Sequence, residues 1–198
     1  MKKKVLFVLA LLVIAGAVFA QAPTLDKLSF VLGTGNNQGY VVRAANNNIS
    51  GAVVIPDTYQ GTSVTLMAAD AFMNCTGITS VTILGNSLTG LNNRTFRGCT
   101  NLESVTFPAS LNSMGLTATF EGCTNLTSVT FQGTIRQANF SASSTRDIGD
   151  LRDKYLAAGG GPGTYTRQKG GTVWTKQGGA DGIVCPHCGQ LIPGAVWR

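Results

Sequence analysis

Apolar positions between residues 71 and 131 fall into columns that return every 24 residues. FMNCTGITSVTI starts at Phe72, FRGCTNLESVTF at Phe96 and FEGCTNLTSVTF at Phe120. Phe72, Phe96 and Phe120 align, as do Cys75, Cys99 and Cys123. Ile78, Leu102 and Leu126 form a third column, Val81, Val105 and Val129 a fourth, and Ile83, Phe107 and Phe131 a fifth. Columns that recur together mark stacked units, each too small to bury its own apolar face and dependent on its neighbours for a core. The last four residues of each phrase alternate, so the pattern predicts a short strand with Val105 and Phe107 inside and Ser104 and Thr106 outside. The same alternation puts Ser80 and Thr82 outside one coil earlier, and Ser128 and Thr130 one coil later. Stacked in parallel, these six residues make a ladder of hydroxyls, with Thr well suited to strand geometry.

A period of about 20 to 29 residues with an L-x-x-L-x-L core is the leucine-rich repeat pattern, and ITSVTI, LESVTF and LTSVTF fill it. The fold class expected is a β-rich solenoid with short parallel strands. Adjacent strands about 4.8 Å apart fall within the Cα separation of roughly 4.4 to 6.8 Å that a disulfide accepts. In-register thiols point in parallel, however, and three cannot all pair. Cys75, Cys99 and Cys123 are therefore expected as small buried hydrophobes filling a turn.

The phrase AF-x-N-C-T-x-I-T-S-V-T-I and its two echoes resemble the BspA-like, or treponemal-type, leucine-rich repeats of bacterial cell-surface proteins. Ile55-Pro56 and the VTLMAADAF that follows fit that family's strand-ending Ile-Pro and its next apolar pair. Val64 and Met67 precede Phe72 by the offsets at which Leu88 and Leu91 precede Phe96, whereas Leu111 and Met114 sit one residue early. A bulge or small shift is expected before Phe120. The resemblance spans residues 28–176, and it implies surface adhesion or host interaction. A fold alone hosts many functions, so the site must decide.

Outside the repeat the pattern predicts caps. LSFVL and YVVRA, joined by a Gly- and Asn-rich turn, read as a hairpin over residues 28–43 that covers the first coil and its strand edge. AVVIP at residues 52–56 reads as the first strand, ended by Pro56, and residues 57–61 as a turn. After Phe131 the columns stop. Residues 150–158 (DLRDKYLAA) predict a helix, with Ile148, Leu151 and Tyr155 on one side, Asp147 or Asp150 as N-cap and a Gly-Gly-Gly-Pro stop. Residues 163–177 predict a second hairpin in which Tyr165 and Trp174 are cross-strand partners. The GDLRDKY and GTYTR passage also looks like the closing segment of bacterial members of the family. The organisation expected is a leader over residues 1–20, a hairpin cap over 21–50, the solenoid over 51–140, a helix-and-hairpin cap over 141–177, and a linker and tail over 178–198.

Composition narrows the function. Charged residues make up 12% of the chain, about half the usual share, with Ser, Thr, Asn and Gly in their place. Residues 1–20 read as a secretory signal: Lys2, Lys3 and Lys4, an apolar run from Val5 to Phe19, and Val18-Phe19-Ala20 at the cut. The run falls short of a bilayer span of about 20 residues, and no Cys follows it, which argues against a lipoprotein anchor. Export to the cell surface, extracellular space or periplasm is expected, with no stable membrane span after cleavage. Without the three leader lysines, 12 basic face 9 acidic groups, a net +3. That balance is too mild and scattered for a nucleic-acid face.

Chemistry is sparse. There is one His, no G-x-S-x-G and no phosphate loop, and the nine acidic residues are scattered, so no enzyme is expected. The matches to the glycosylation sequon at Asn48, Asn93, Asn125 and Asn139 are read as chance in an Asn- and Thr-rich repeat. Cys185-Pro-His187-Cys188-Gly has the form of a zinc knuckle, but a tetrahedral site takes four ligands and no second pair follows. Zinc at Cys185 and Cys188 would need a shared or three-ligand site. A redox pair would need a helix that Gly189 and Pro193 forbid. In an oxidising compartment the plain alternative is a local disulfide or two exposed thiols. No other cofactor is expected. The function expected is protein-protein interaction or adhesion at the bacterial surface, possible partners being host or matrix proteins. Its contact face is Ser80, Thr82, Ser104, Thr106, Ser128 and Thr130. The alternatives are a self-associating structural envelope protein and a metal or redox role of the tail.

Overall fold

The structure is a computed structural model that describes residues 22–35, 38–178, 183–184 and 191–192. In chain order the strands are β1 Leu28–Leu32, β2 Tyr40–Ala44, β3 Ser50–Ile55, β4 Thr58–Tyr59, β5 Thr62–Met67, β6 Gly77–Ile83, β7 Gly90–Leu91, β8 Ser104–Phe107 and β9 Ser128–Phe131. Two short helices follow, α1 Ala142–Thr145 and α2 Leu151–Leu156, then β10 Gly163–Thr166, β11 Thr175–Lys176, β12 Ile183–Val184 and β13 Leu191–Ile192.

The 24-residue columns are vertical stacks. β6, β8 and β9 pair in parallel, with Val81 opposite Val105 and Val105 opposite Val129, and β3 joins in parallel on the other side of β6. A second ladder runs along the opposite flank, from β2 to β5 to β7 and on through bridges at Ser113 and Phe140. The Phe-x-x-Cys turns make a third: Phe72 N–H donates to Thr95 C=O (2.8 Å) and Phe96 N–H to Thr119 C=O (2.9 Å). Backbone groups are thus satisfied between coils, and the side chains turned inward meet their counterparts above and below. Phe72, Phe96 and Phe120 stack with ring centroids 5.7 and 5.6 Å apart, and Phe107 stacks on Phe131 at 5.5 Å.

The cysteine column is buried and free of disulfides, and it also closes hydrogen bonds. Cys99 Sγ donates to the Phe72 carbonyl and Cys123 Sγ to the Phe96 carbonyl, each at 3.0 Å. Burial pushes the Cys75 thiol up to about 11 and Cys123 up to about 12, and raises Cys99 further. Since the thiolate is the reactive form, these three should resist iodoacetamide at pH 8 until the chain unfolds, as peptide mass mapping would show. The sign for stability follows. The folded state keeps protons that an unfolded chain would release. This contribution is complete below the ordinary thiol range and is lost as pH climbs through about 11 at Cys75 and about 12 at Cys123. The denaturation midpoint should therefore fall on the alkaline side.

Coil lengths vary at the turns. The first coil is longer because residues 57–61 do more than turn: β4 folds back on β5 as a hairpin, Thr58 opposite Ser63, so Val53 pairs with Val81, 28 residues on. In the third coil the turn after Phe107 is one residue shorter than the turn after Ile83, and the missing residue returns at Gly115 and Leu116. This is the shift that Leu111 and Met114 announce. Gly115 is required there, since a Cβ would lie 2.3 Å from the Asn92 carbonyl oxygen, and Leu116 is pushed out to 66% exposure. The shift leaves a mark on the next residues. Thr95 Oγ1 donates to Asn92 C=O at 2.6 Å, but Thr119, its counterpart one coil on, is fully buried and its hydroxyl has no partner among the described residues. An orphaned buried hydroxyl costs about 1–3 kcal/mol. Thr119→Val should therefore raise stability by about 1 kcal/mol while Thr95→Val lowers it by a similar amount, a sign reversal that denaturant melts would read.

The two ends close differently. At the front, β1 pairs with β2 antiparallel, and Phe30 stacks on Tyr59 at 4.1 Å with Tyr40 edge-on. At the back, β10 returns antiparallel beside β9 and β11 beside β10. Fully buried Trp174, Tyr165, Phe140 and Leu151, with Ile148 and Tyr155 at 2% exposure or less, seal the last coil. Three readings of this region need correction. Tyr165 faces Lys176 rather than Trp174; Trp174 lies just before β11 and buries its ring, its Nε1 donating to Ile148 C=O at 2.7 Å. Asp150 is the N-cap of α2, but its carboxylate accepts from Trp174 N–H at 2.7 Å, tying the helix to the segment just before β11 instead of capping its first turn. The helix itself is shorter than residues 150–158, and α1 precedes it.

Candidate binding face

Sheet alternation sends Val81, Val105 and Val129 into the core and turns their neighbours outward. Ser80, Ser104 and Ser128 lie in one register row and Thr82, Thr106 and Thr130 in a second. The six residues expected at the contact face therefore share one surface, each half-buried between its neighbours. Among the described residues, the hydroxyls of Ser80, Thr82, Ser104, Thr106 and Ser128 have no hydrogen-bond partner in the protein. The sixth, Thr130 Oγ1, lies 2.8 Å from Thr164 Oγ1.

That last contact shows where the face continues. β10 places Thr164 opposite Thr130 and Thr166 opposite Ser128, and β11 adds Thr175 opposite Thr166. These three were missed as site residues. The signal was present in the alternation of GTYT, with Tyr165 inside and Thr on both sides, but nothing local says that this strand docks on the last coil. At the other end the rows stop at β3, where Ala52 and Val54 replace Ser and Thr. Thr24 is held against Val54, donating from its N–H to the Val54 carbonyl (3.0 Å) and accepting from the Val54 N–H (2.9 Å).

The two rows carry no charge. Half-buried Arg167 turns inward: its Nε donates to Leu126 C=O and its Nη atoms to Ile148, Gly171 and Cys123 C=O. Charge pairs lie instead on the Phe-x-x-Cys turns. Arg94 grips Asp70 through two hydrogen bonds of 2.7 and 2.8 Å and holds its carboxyl below the usual range, and Arg97 meets Glu121 at 3.1 Å. Both pairs are solvent-exposed and worth little. The face thus offers directional hydroxyls on a rigid frame, suited to many weak hydrogen bonds and lacking the Trp, Tyr or Arg anchors of tight interfaces.

Cys185, His187 and Cys188 lie outside the described residues; β12 and β13 on either side of them pair antiparallel, Val184 opposite Leu191. Among the described residues, no group of three or more His, Cys, Asp or Glu side chains is placed to hold a metal. Among the same residues no helix is long and apolar enough to cross a membrane. The leader expected over residues 1–20 also lies outside them.

Residues 53–150 match the BspA type leucine rich repeat region, in 6 copies. No curated protein matches the sequence. Among solved structures, a leucine rich repeat protein of T. pallidum is 25% identical with a TM-score of 0.50, the likeness covering 59% of this chain and 52% of that one. This chain thus spans about half the length of that protein. A leucine-rich repeat protein from Bacteroides ovatus is 24% identical (TM-score 0.43; 54% of this chain, 28% of that one). A leucine rich cell surface protein from Faecalibacterium prausnitzii is 23% identical (TM-score 0.42; 51% and 28%).

Proposed function

Because the chain carries a BspA-type leucine rich repeat region over residues 53–150, we propose that it is an exported, non-enzymatic interaction protein that binds a protein partner at the bacterial surface through the hydroxyl rows. Leucine-rich solenoids use such extended sheet faces to engage other proteins, and this chain has spent its regular positions on one. The observation that carries the reading is the set of five unpartnered hydroxyls, held in two register rows by strands that cannot shift without moving the core. Export rests on the basic, apolar and small-residue pattern of residues 1–20. Adhesion is the role the resemblance implies.

A face of single hydroxyl contacts binds weakly, so the partner should itself be extended or repetitive, gaining strength from many simultaneous contacts. The test uses the protein without its leader on a panel of extracellular-matrix proteins, alongside Thr82→Lys/Thr106→Lys/Thr130→Lys. Expected is a captured partner lost on substitution with an unchanged melting temperature. A partner held equally well by the triple variant would move the site elsewhere, and an empty panel would count against adhesion.

A further inference from the structure

The two sheets protect their edges unequally. On the repeat sheet, β3 is guarded by Lys27, whose Nζ donates to the carbonyls of Ser50 (2.7 Å) and Ala52 (2.8 Å), and by Thr24 on Val54. Its far edge, β11, is two residues long. The second sheet ends in β1, which pairs with β2 on one side and, among the described residues, with no strand on the other. Nothing in LSFVL guards it: it holds no charge, no proline and no bulge, the usual devices against edge pairing. Among the described residues, five large apolar side chains are strongly exposed, and three of them, Leu25, Val31 and Leu32, sit at this end at 49%, 50% and 57%.

The free edge is also nearly palindromic. Read from Phe30 outward, β1 is Leu-Ser-Phe-Val-Leu. An antiparallel copy centred on Phe30 would set Leu28 against Leu32, Phe30 against Phe30 and Ser29 against Val31. The backbone must agree in phase, and it does. Gly33 N–H bonds Gly39 C=O and Ala45 N–H bonds Lys27 C=O, so the odd-numbered residues of β1 face β2 and the even-numbered ones point their N–H and C=O groups outward. Phe30 and Leu32 make no backbone hydrogen bond on that outer side among the described residues. Leu28 keeps a free carbonyl, its N–H being used by Leu25 C=O.

We infer that β1 is a self-complementary edge through which two copies of this chain pair antiparallel about Phe30. The Phe30 N–H groups donate to the Phe30 carbonyls across the axis, and each Leu32 N–H donates to Leu28 C=O of the second copy. On the outer surface the row Leu66, Val41, Val31 runs on into Ser29 of the second copy; on the inner, Leu32 is covered by Leu28. Among the described residues the far end of the repeat sheet, sealed by buried Trp174 and Tyr165, offers β1 only the two-residue edge β11, which argues against a filament. An isologous contact of this kind closes at two copies. The pair displays two hydroxyl faces, which is one way to strengthen a weak contact, but it does not depend on those faces having a partner.

A five-residue edge buries less than the roughly 1,200 Å² of stable complexes, so the pairing is concentration-dependent. Sedimentation between about 1 µM and about 1 mM should show a monomer-dimer equilibrium, weakened at least about tenfold by Leu32→Lys and unchanged by Val173→Lys at the far cap. Hydrogen exchange reads the register: the amides of Phe30 and Leu32 gain protection with concentration while that of Val31, already bonded to β2, does not. Strict monomers across the range, a Leu32→Lys dimer as tight as the parent, protection that spares Phe30, or growth beyond two copies would each overturn the inference.

Discussion

Phe96→Ala is expected to remove about 4 kcal/mol of stability, within the range for truncating a buried phenylalanine. The ring is fully buried and lies between two others, Phe72 at 5.7 Å and Phe120 at 5.6 Å, with Phe107 tilted against it at 6.5 Å. In a stack of repeats, stability is the sum of weak units and strong interfaces between neighbours, so a residue in the middle coil belongs to two interfaces at once. Phe72 has one such ring neighbour. Phe72→Ala should therefore cost about 1 kcal/mol less than Phe96→Ala, the worth of one aromatic pair. For a chain of this size the Phe96 loss corresponds to a fall in melting temperature of roughly 10 °C. A loss below about 1 kcal/mol would mean that the core repacks without its central ring, contrary to the range for buried aromatic truncations.

The same periodicity explains which parts of the molecule were legible beforehand. A column repeated at constant spacing carries its own tertiary information: Val81, Val105 and Val129 name their neighbours, and Ser80 and Thr82 their face, without any long-range guess. The early arrival of Leu111 and Met114 even located the irregular coil. Legibility ends where the period does. Beyond Phe131 the last coil is closed by aromatic residues at irregular spacing, Phe140, Tyr155, Tyr165 and Trp174, and each finds its place by filling the space left by the others. Local alternation in GTYT gives the inward Tyr165, but whether β10 pairs with β9 or with a strand of its own depends on that packing. The hairpin register went the same way. Placing Trp174 opposite Tyr165 supposes a symmetric turn, whereas the loop is set by Arg167 and Asp150, which draw the Trp ring down onto Ile148. The orphaned Thr119 hydroxyl was beyond sequence altogether, because it arises from a carbonyl displaced by one inserted residue.

Arg167 is where the repeat and its cap become one cooperative unit, and Arg167→Met should cost about 3 kcal/mol through the carbonyls it leaves behind. Its guanidinium touches the last coil at Cys123 and Leu126, the turn before α2 at Ile148 and the loop before β11 at Gly171, and it lies 5.0 Å from the centre of the Trp174 ring. Burial weakens its hold on the proton relative to a free arginine, and among the described residues it has no carboxylate partner, its hydrogen bonds going to carbonyl oxygens. Removal does not harm all four acceptors equally. Ile148 C=O keeps the Trp174 indole and Cys123 C=O keeps Leu126 N–H, while Leu126 and Gly171 lose the one donor they have among the described residues. Two orphaned carbonyls at about 1–3 kcal/mol each, with a cation-π contact of about 1 kcal/mol, make the estimate. Lysine keeps the charge but has a single nitrogen to offer, so Arg167→Lys should recover less than half of the loss. Because the last coil depends on this cap for its own burial, the loss should appear in the melting of the whole chain, read by far-ultraviolet circular dichroism, together with Trp174 fluorescence. If the tryptophan signal moves first and the repeat melts at its original temperature, cap and solenoid are separate units, and Arg167 joins nothing that matters to the stack.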